Sequence, residues 1–568
     1  METKAENTQK KQNNRVWPLF SNGLENFGVN NAPVVQPLPA LSPGELLVRN
    51  DACGLCFSDI KVINQGQSHP RIIQDMQSQP VVLGHEVCFT VVDGADGIDP
   101  KYHLGDRLTL QSDIVIDGVG KAFGYVYQGG LSQFNLISQE IINSDNGDML
   151  IPLPDGMGYA ESALIEPWAC VEAAYRLTYR NHIKPQGNLW VIGGMKPTHI
   201  DLTSAIVHNP PANFYYTNIS DDLLNTVRNL TDQHTFSVIQ IEEFQHVPDD
   251  EIDDIVLLAP DGRTIEKACT KLAYGGVMAI SDMPTLERQP KIDVGRIHYQ
   301  RWSFISGESH DLAQIYIESA FSSELKPAGT AWFAGAGGPF GRIHVQRAIQ
   351  LENPPSLIVC TEIDHFRLEK LKQDFSDEAQ RKGIDFVCLN PHDLILDKPK
   401  LQSYQQQGFD NIILLALDLV LATECSQSLA SNGVLNLFAG IRRGSKTSLD
   451  FSSLTSKHTH FIGHSGSKIE DMRSVIQRWE NGQIDINRAV AAVGSLDAAK
   501  DGYQAMIDKT FPGKVVIYPN IKSFPLTGLP ELKHILPSVY DKLSPMGNWT
   551  NAAEAEFLHI LQNKEDVG

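Results

Sequence analysis

Between residues 45 and 137 the apolar positions come in short runs, at 45–48, 81–83, 87–92, 107–110 and 134–137, separated by Gly, Pro and Asp. Runs of that length bounded by turn formers predict a mainly β domain with long loops. A helical stretch at 169–177 then opens a different rhythm, in which apolar strands alternate with amphipathic helices as in βαβ units. The chain passes through that rhythm twice. Strands are predicted at 188–192, 213–216, 236–241, 254–258, 276–280 and 302–305, and again at 330–334, 356–360, 385–389, 410–415, 433–438 and 460–462. Strands apolar on both faces suit parallel sheets covered by helices. Their repeat distance, roughly 140 residues, is too long for a solenoid and reads as a duplicated domain. The expected fold class is α/β: one mainly β domain followed by two tandem doubly wound parallel sheets. A tail from 524 is Pro-rich at first and then helical at 551–562, with Thr550 as a candidate cap and Trp549 beside it; only a packing role is expected of it.

Composition narrows the class of partner. The 568 residues carry 47 Lys and Arg against 68 Asp and Glu, a net charge of −21, which repels phosphate backbones and anionic lipid surfaces. Neither nucleic acid nor a membrane surface is expected as a partner. Eight scattered Cys are too few for a disulfide framework and suit a reducing, cytoplasmic setting. Residues 1–15 are polar with no apolar core, so they read as a disordered tail and not as a signal peptide. The longest apolar stretch, 412–422, is interrupted by Asp418 and falls short of the ~20 residues a spanning helix needs.

Four segments concentrate chemistry: Cys53-Gly54-Leu55-Cys56-Phe57-Ser58-Asp59, Gly84-His85-Glu86, Gly105-Asp106-Arg107 and Leu164-Ile165-Glu166-Pro167. In this order they resemble the zinc-dependent branch of the medium-chain dehydrogenase/reductase family, with the sorbitol dehydrogenase and sorbose-phosphate reductase group nearest. The resemblance covers residues 35 to 520, except that the family normally has one nucleotide-binding domain and this chain has two. It implies a GroES-like catalytic zinc domain at 30–185, a degenerate Rossmann-like domain at 186–326, an NAD-binding Rossmann domain at 327–490 and a return segment to the catalytic domain at 491–523; the chain's own pattern adds a disordered tail at 1–29 and a helical tail at 524–568.

A catalytic zinc needs three protein ligands and one open position for a substrate oxygen. Cys56, His85 and Glu166 match the family's thiolate, imidazole and carboxylate one for one. Glu86 would then be an outer or exchanging ligand, Asp59 would fix the tautomer of His85, and Ser58 would carry the substrate proton. Where many relatives have His as the next relay member, this chain has Lys61. Two rivals stand beside this set. Cys53, Cys56, His85 and Cys88 have the spacing of a structural site, although that choice leaves Ser58, Asp59 and Glu166 without a role. Cys170 shares a helical face with Glu166. Residues 111–133 contain no Cys, so the family's second, four-cysteine zinc site is not expected.

For the cofactor, the predicted strand 330–334 runs into Gly335-Ala336-Gly337-Gly338-Pro339-Phe340-Gly341 and then a helix. Such a turn sets backbone N–H groups and a helix N-terminus against a pyrophosphate. Glu362, at the end of the next strand, would accept hydrogen bonds from the adenosine ribose, with Asp364 as an alternative, and its charge would favour NAD over NADP. The corresponding first turn, Gly193-Gly194-Met195-Lys196-Pro197, lacks the third glycine, so one NAD(H) per chain is expected, held by Gly335, Gly337, Gly338, Gly341 and Glu362. The function read from all this is a zinc-dependent oxidoreductase that transfers hydride between NAD(H) and a polyol or ketose, free or phosphorylated, in a homo-oligomer. A zinc-free reductase on the same scaffold and a catalytically silent nucleotide- or sugar-binding protein are the alternatives.

Overall fold

The computed structural model describes residues 13–38, 40–94, 99–194, 196, 198–521 and 523–563. Residues 1–12 of the expected tail, and Met195 and Pro197 of the first glycine turn, lie outside the described residues. The chain divides into two units, Met1–Glu172 with Gly466–Gly568, and Ala173–Ser465. Among the described residues no helix is long and apolar enough to cross a membrane.

The first unit is built on an eight-stranded sheet. Its order runs Leu150–Pro152, Arg107–Leu110, Glu86–Gly94, Leu46–Gly54, Lys514–Tyr518, Val490–Ser495 and Thr527–Gly528, with Phe134–Ile137 also paired to Leu46–Gly54. The central strand Leu46–Gly54 is buried on both faces, and its far end is gripped from two sides: Gly54 stands opposite Glu86 and opposite Val516. A strand from the end of the chain thus completes the sheet begun near its start.

The disordered tail expected over 1–29 does not extend that far. Asn13–Val16 pairs antiparallel with Val34–Pro37. Trp17 is wholly buried, stacks on Phe27 at 4.7 Å and donates its indole N–H to the Leu496 carbonyl at 2.5 Å. Polar residues dominate positions 1–15, but Val16, Trp17, Leu19 and Phe27 supply the apolar side that anchors the segment that follows. The boundary expected at 490 also shifts. Helix Ile469–Glu480 belongs to the first unit, where Trp479 donates to Glu161 at 3.1 Å and Arg478 pairs with Glu172. An amphipathic helix carries no mark of which sheet it will cover.

The tail has more than a packing role. Glu554, on helix Asn551–Asn563, is buried and accepts hydrogen bonds from the backbone N–H groups of Tyr159 and Ala160, at 2.6 and 2.8 Å, and from the Tyr518 hydroxyl at 2.7 Å. It satisfies the orphan donors that open helix Tyr159–Ala163. Thr550 caps the tail helix itself, accepting from Ala553 N at 3.0 Å.

The second unit holds both α/β sheets. In the first, Asn188–Gly193 lies between Asn213–Thr217 and Ile252–Leu258, with Ser237–Gln240 at one edge and Leu272–Ser281 then Ser303–Ser306 toward the other. The second repeats this with Thr330–Ala334 between Leu357–Thr361 and Phe409–Leu414, and Asp385–Leu389, Leu429–Asn436 and His460–Ile462 in the corresponding places. Counted within each sheet, the order is the 3-2-1-4-5-6 of a doubly wound dinucleotide fold. The two are not separate domains. Lys291–Asp293 of the first pairs antiparallel with Lys446–Ser448 of the second, and one apolar core runs through both. Since equivalent elements meet each other, the two sheets are related as the halves of an isologous interface.

These cores generate two predictions. Truncating Trp17 to Ala should cost about 3–5 kcal/mol, read as a lowered thermal midpoint; an unchanged midpoint would place the indole outside the core. His460, 8% exposed and stacked on Phe321, has its pKa pulled down to about 4 by burial, with His458 adding to the effect. A folded pKa below the unfolded value of about 6.5 gives stability that is complete above that pH and is lost as pH falls toward 4, by about 3 kcal/mol at the limit. Thermal melts between pH 7 and pH 4.5 should therefore show a steeper loss in the native protein than in His460→Phe.

Candidate active site

All the residues of the first motif cluster fall within the first unit. Helix Phe57–Gln65 starts just after Cys56, and Asp59 in its first turn accepts from Cys56 N at 3.3 Å. The loop before Glu86–Gly94 delivers His85. Strand pairing does the rest, since Gly54 lies opposite Glu86 and has no side chain. A Cβ there would stand 2.2 Å from Glu86 Oε2, so only glycine leaves room for the carboxylate.

Three potential ligand atoms converge. One each from Cys56, His85 and Glu86, all buried, lie within 4.8 Å of one another. The Ser58 hydroxyl donates to Cys56 Sγ at 3.0 Å and stands 3.2 Å from His85 Nε2. On the other side of the ring, His85 Nδ1 is 3.1 Å from Asp59 Oδ1. That carboxylate favours a proton on Nδ1 and leaves the Nε2 lone pair directed at the cluster. Asp59 is itself held by the Tyr503 hydroxyl, which donates at 2.9 Å. Burial lowers the pKa of His85, but Asp59, with Tyr125 and Cys56, outweighs it and holds the pKa well above the ordinary value.

Glu166, the expected third ligand, lies in the same buried neighbourhood as His85, Glu86 and Lys514. It is buried in helix Ile165–Ala174 and accepts from the Cys170 thiol at 3.4 Å, but it falls outside the group formed by Cys56, His85 and Glu86. Desolvation pushes its pKa up to about 7; Glu86 adds to the rise, and His85 and Lys514 oppose it. The structure therefore groups Glu86, expected as an outer or exchanging ligand, with Cys56 and His85.

The rivals are separated from the cluster. Cys53 lies across the ladder from Val87, with its sulfur 3.6 Å from the Gly54 carbonyl and its pKa raised by burial. Cys88 lies opposite Ala52, near Arg107. Neither joins the candidate ligand group, and the structural four-residue site is not assembled.

Two further residues of the site carry no signal in the sequence. The Lys514 ammonium is buried and donates to Glu86 Oε1 and, at 2.9 Å, to the Leu55 carbonyl. Burial lowers its pKa, but Glu86, Cys56 and Glu166 reverse the effect and keep it charged. In sequence it is one lysine opening an apolar run, and nothing there announces a partner. Tyr125 is equally silent; its ring stacks on His85 with centroids 5.7 Å apart.

With one Glu86 oxygen on Lys514, the other, Oε2, is buried without a partner. An orphaned carboxylate oxygen beside a thiol and a correctly oriented imidazole is the donor set a borderline-soft cation such as zinc takes. The residues fit that metal.

The second unit holds the glycine turn. Gly335, at φ +88°, and Ala336 both donate to the Thr361 carbonyl at 2.9 Å, and Gly337 N donates to Glu362 Oε2 at 3.0 Å. Glu362 Oε1 accepts from Ile363 N and Asp364 N. Helix Pro339–Gln350 begins here, and Gly341 lets it approach the turn closely, since a Cβ there would sit 2.3 Å from the Ala336 carbonyl oxygen. Asp364 serves the next helix instead, its carboxylate accepting from Arg367 N to cap His365–Arg381. Arg367 also brings a cation to the turn beside Gly338, a charge that the spacing of the motif does not reveal. The first sheet differs in polarity. At the position matching Glu362 stands Asn218, whose amide donates to the carbonyls of Gly193 and Gly194, at 3.3 and 3.2 Å.

Residues 42–144 match the alcohol dehydrogenase GroES-like domain. Over 93% of its length the chain is 25% identical to L-sorbose 1-phosphate reductase of Klebsiella pneumoniae, covering 94% of that protein. It is 22% identical to mannitol-1-phosphate 5-dehydrogenase of Aliivibrio fischeri, over 87% of this chain and 84% of that one. Among solved structures, 2R,3R-butanediol dehydrogenase from Bacillus subtilis superposes with a TM-score of 0.50 at 14% identity, covering 89% of this chain and all of that one, which bears on the fold. With its motif order, its GroES-like domain and its doubly wound sheets, the chain is similar to the zinc-dependent medium-chain dehydrogenases/reductases.

Proposed function

We propose that the protein is a zinc- and NAD(H)-dependent dehydrogenase that interconverts a secondary alcohol of a polyol and the ketone of the matching ketose. The observation that carries this reading is the convergence of Cys56, His85 and Glu86, with the Ser58 hydroxyl 3.0 Å from the Cys56 sulfur. Relatives named L-sorbose 1-phosphate reductase and sorbitol dehydrogenase support the substrate class.

Cys56, His85 and Glu86 would hold the metal, with Glu166 as the carboxylate that takes over when Glu86 turns to Lys514. When bound, zinc polarises the substrate oxygen and the nicotinamide accepts or supplies hydride. The chain's own residues manage the proton and the charge. Ser58 Oγ stands at the edge of the ligand group, where it can receive the proton of the substrate hydroxyl. A side-chain hydrogen bond joins Ser58 to Tyr125 and gives that proton a next station. Asp59 and Tyr503 keep the His85 ring from turning, and Lys514 prevents the buried carboxylates from repelling each other apart.

The dinucleotide is assigned to the second turn, with Glu362 favouring NAD(H). Its carboxylate opposes a 2′-phosphate, while Arg367 supplies an opposing attraction.

Metal analysis tests the first part. Cys56→Ala should lose tightly bound zinc and at least ~10³-fold of turnover, while Cys53→Ala and Cys88→Ala keep both; zinc retained in Cys56→Ala, or lost in all three, would sink the site. Turnover by protein stripped of metal would favour a zinc-free reductase. For the cofactor, Gly338→Ala is the informative variant. A Cβ at Gly338 meets only the Arg367 guanidinium, at 4.0 Å, whereas one at Gly337 runs into Glu362 and one at Gly194 into the Ala259 carbonyl. The Gly338 variant should fold normally yet bind NADH at least ~10-fold more weakly by calorimetry. Unchanged affinity, or two nucleotides per chain, would contradict the assignment.

A further inference from the structure

Two cysteines of the second sheet stand directly across from each other. Strand Leu357–Thr361 pairs parallel with Asp385–Leu389, and the register sets Cys360 opposite Cys388. Side chains alternate along each strand, so paired residues share one face of the sheet. Val359, Val387 and Leu389 point into the apolar core common to the two sheets, and Cys360 and Cys388 occupy the alternate positions, on the opposite face. The two thiols are within hydrogen-bonding reach of each other; burial, and then this contact, pushes the Cys360 thiol well above its ordinary range. Neighbouring strands run about 4.8 Å apart, inside the Cα separation of about 4.4–6.8 Å that a disulfide spans. The sulfurs can therefore be joined without rearranging the fold.

Access and placement set the pair apart from the other cysteines. Asp385–Leu389 is the edge strand of its sheet, and Cys388 on it is half-buried, whereas Cys360 is wholly buried. Of the eight cysteines only Cys170, beside Glu166, shares that partial exposure. Cys388 can thus meet a small oxidant, while Cys360, shielded from solvent, can act only on the sulfur next to it. The pair also lies immediately below the hydrogen bonds that hold the glycine turn. The residue after Cys360 is Thr361, whose carbonyl accepts from Gly335 N and Ala336 N, both at 2.9 Å. The residue after Cys388 is Leu389, whose carbonyl accepts from Glu362 N at 3.2 Å, and Glu362 Oε2 in turn accepts from Gly337 N. A bond that draws the strands together at 360 and 388 therefore acts one residue away from both anchors of the turn.

We propose that Cys360 and Cys388 are a redox pair, and that their disulfide weakens dinucleotide binding at Gly335–Gly341. The oxidant that fits is hydrogen peroxide. The Cys388 thiolate attacks one peroxide oxygen, the O–O bond breaks, and a sulfenic acid and one water form, the leaving oxygen taking up the thiol's proton. The Cys360 sulfur then attacks the Cys388 sulfur, forming the S–S bond and expelling the sulfenic oxygen as a second water. In total the two thiols lose two electrons and two protons, and the peroxide is reduced to two waters. A dithiol reverses the change by thiol–disulfide exchange. Transient oxidation of this kind suits a reducing setting, in which the resting pair stays as thiols. The disulfide stands on the strand register, and its effect on binding rests on the assignment of NAD(H) to the second turn.

The test treats the full-length protein with a small excess of hydrogen peroxide and returns a matched sample to the reduced form with dithiothreitol. Digestion without reductant, followed by mass spectrometry, should recover the Cys360 and Cys388 peptides joined, two hydrogens lighter than their sum, and separate again after dithiothreitol. By calorimetry the oxidised protein should bind NADH roughly 10-fold more weakly than the reduced protein, and dithiothreitol should restore the affinity. Cys388→Ser should bind NADH like the reduced native protein, and peroxide should leave its affinity within about 2-fold. In Cys360→Ala the oxidised Cys388 has no resolving partner, so its sulfenic acid should be trapped by dimedone in far higher yield than in the native protein. Absence of the joined peptides, or a peroxide-induced loss of affinity that persists in Cys388→Ser, would overturn the redox pair. Joined peptides with unchanged NADH affinity would overturn its link to the turn. No NADH binding even by the reduced protein would overturn the dinucleotide assignment, and the effect on binding with it, while the joined peptides would still establish the disulfide.

Discussion

The buried pair of Lys514 and Glu86 is the interaction on which the rest of the first unit depends. Its partners are 428 residues apart, and both side chains are almost completely removed from water. Burying either charge alone would be strongly unfavourable, so the strand at the end of the chain must dock on the strand near its start before the Glu86 carboxylate can be accommodated. Docking alone does not settle the electrostatics. The Cys56 thiol and the His85 imidazole lie within 4.8 Å of a Glu86 carboxylate oxygen, and Glu86 Oε2 is left without a hydrogen bond, which is the donor set a further cation would take.

The duplicated sheets solve a different problem. A six-stranded parallel sheet ends in an edge strand whose unpaired backbone groups invite association. Here the edge strands Ser303–Ser306 and His460–Ile462 contact each other, flanked by the antiparallel pair Lys291–Asp293 and Lys446–Ser448. His298 takes part, its Nδ1 lying 3.0 Å from the Leu437 carbonyl of the other sheet. The first sheet thus shields the edge of the second within a single chain, which gives the repeat without a complete glycine turn a structural reason to persist. The homo-oligomer expected from the sequence is accordingly not needed to cover this edge.

What the sequence discloses depends on the range of the forces involved. Alternation of apolar strands and amphipathic helices is a local signal, and the two sets of six strands can be read from it with only small shifts at their ends. Cys56, Ser58, Asp59, His85 and Glu86 sit in two short motifs whose geometry is set within a few residues, and they too are legible. Lys514, Tyr125 and Tyr503 act through contacts made across the fold, and each looks in sequence like an ordinary strand, loop or helix residue. The segment 13–29 is drawn into the disordered reading by the polar run of residues 1–15 before it, although it carries the anchors Val16, Trp17, Leu19 and Phe27. The motifs name both Glu86 and Glu166, but the register that sets Glu86 opposite Gly54 is a contact between distant strands and is not written in either motif.

The contrast between the two glycine turns shows how one side chain can decide the way a turn is tied to its sheet. Both turns leave the end of the first strand of a doubly wound sheet, and both are tied down by the residue just beyond the next strand. In the second sheet that residue is Glu362, an acceptor, and the Gly337 backbone answers with its N–H. In the first it is Asn218, a donor, and Gly193 and Gly194 answer with their carbonyls. Gly193 and Gly194 are also closely held, since a Cβ would stand 1.8 Å from the Asn218 carbonyl oxygen at the first and 2.1 Å from the Ala259 carbonyl oxygen at the second. The two turns therefore differ in the chemistry that ties each to its sheet: a carboxylate gathers N–H groups in one, and an amide donates to carbonyls in the other.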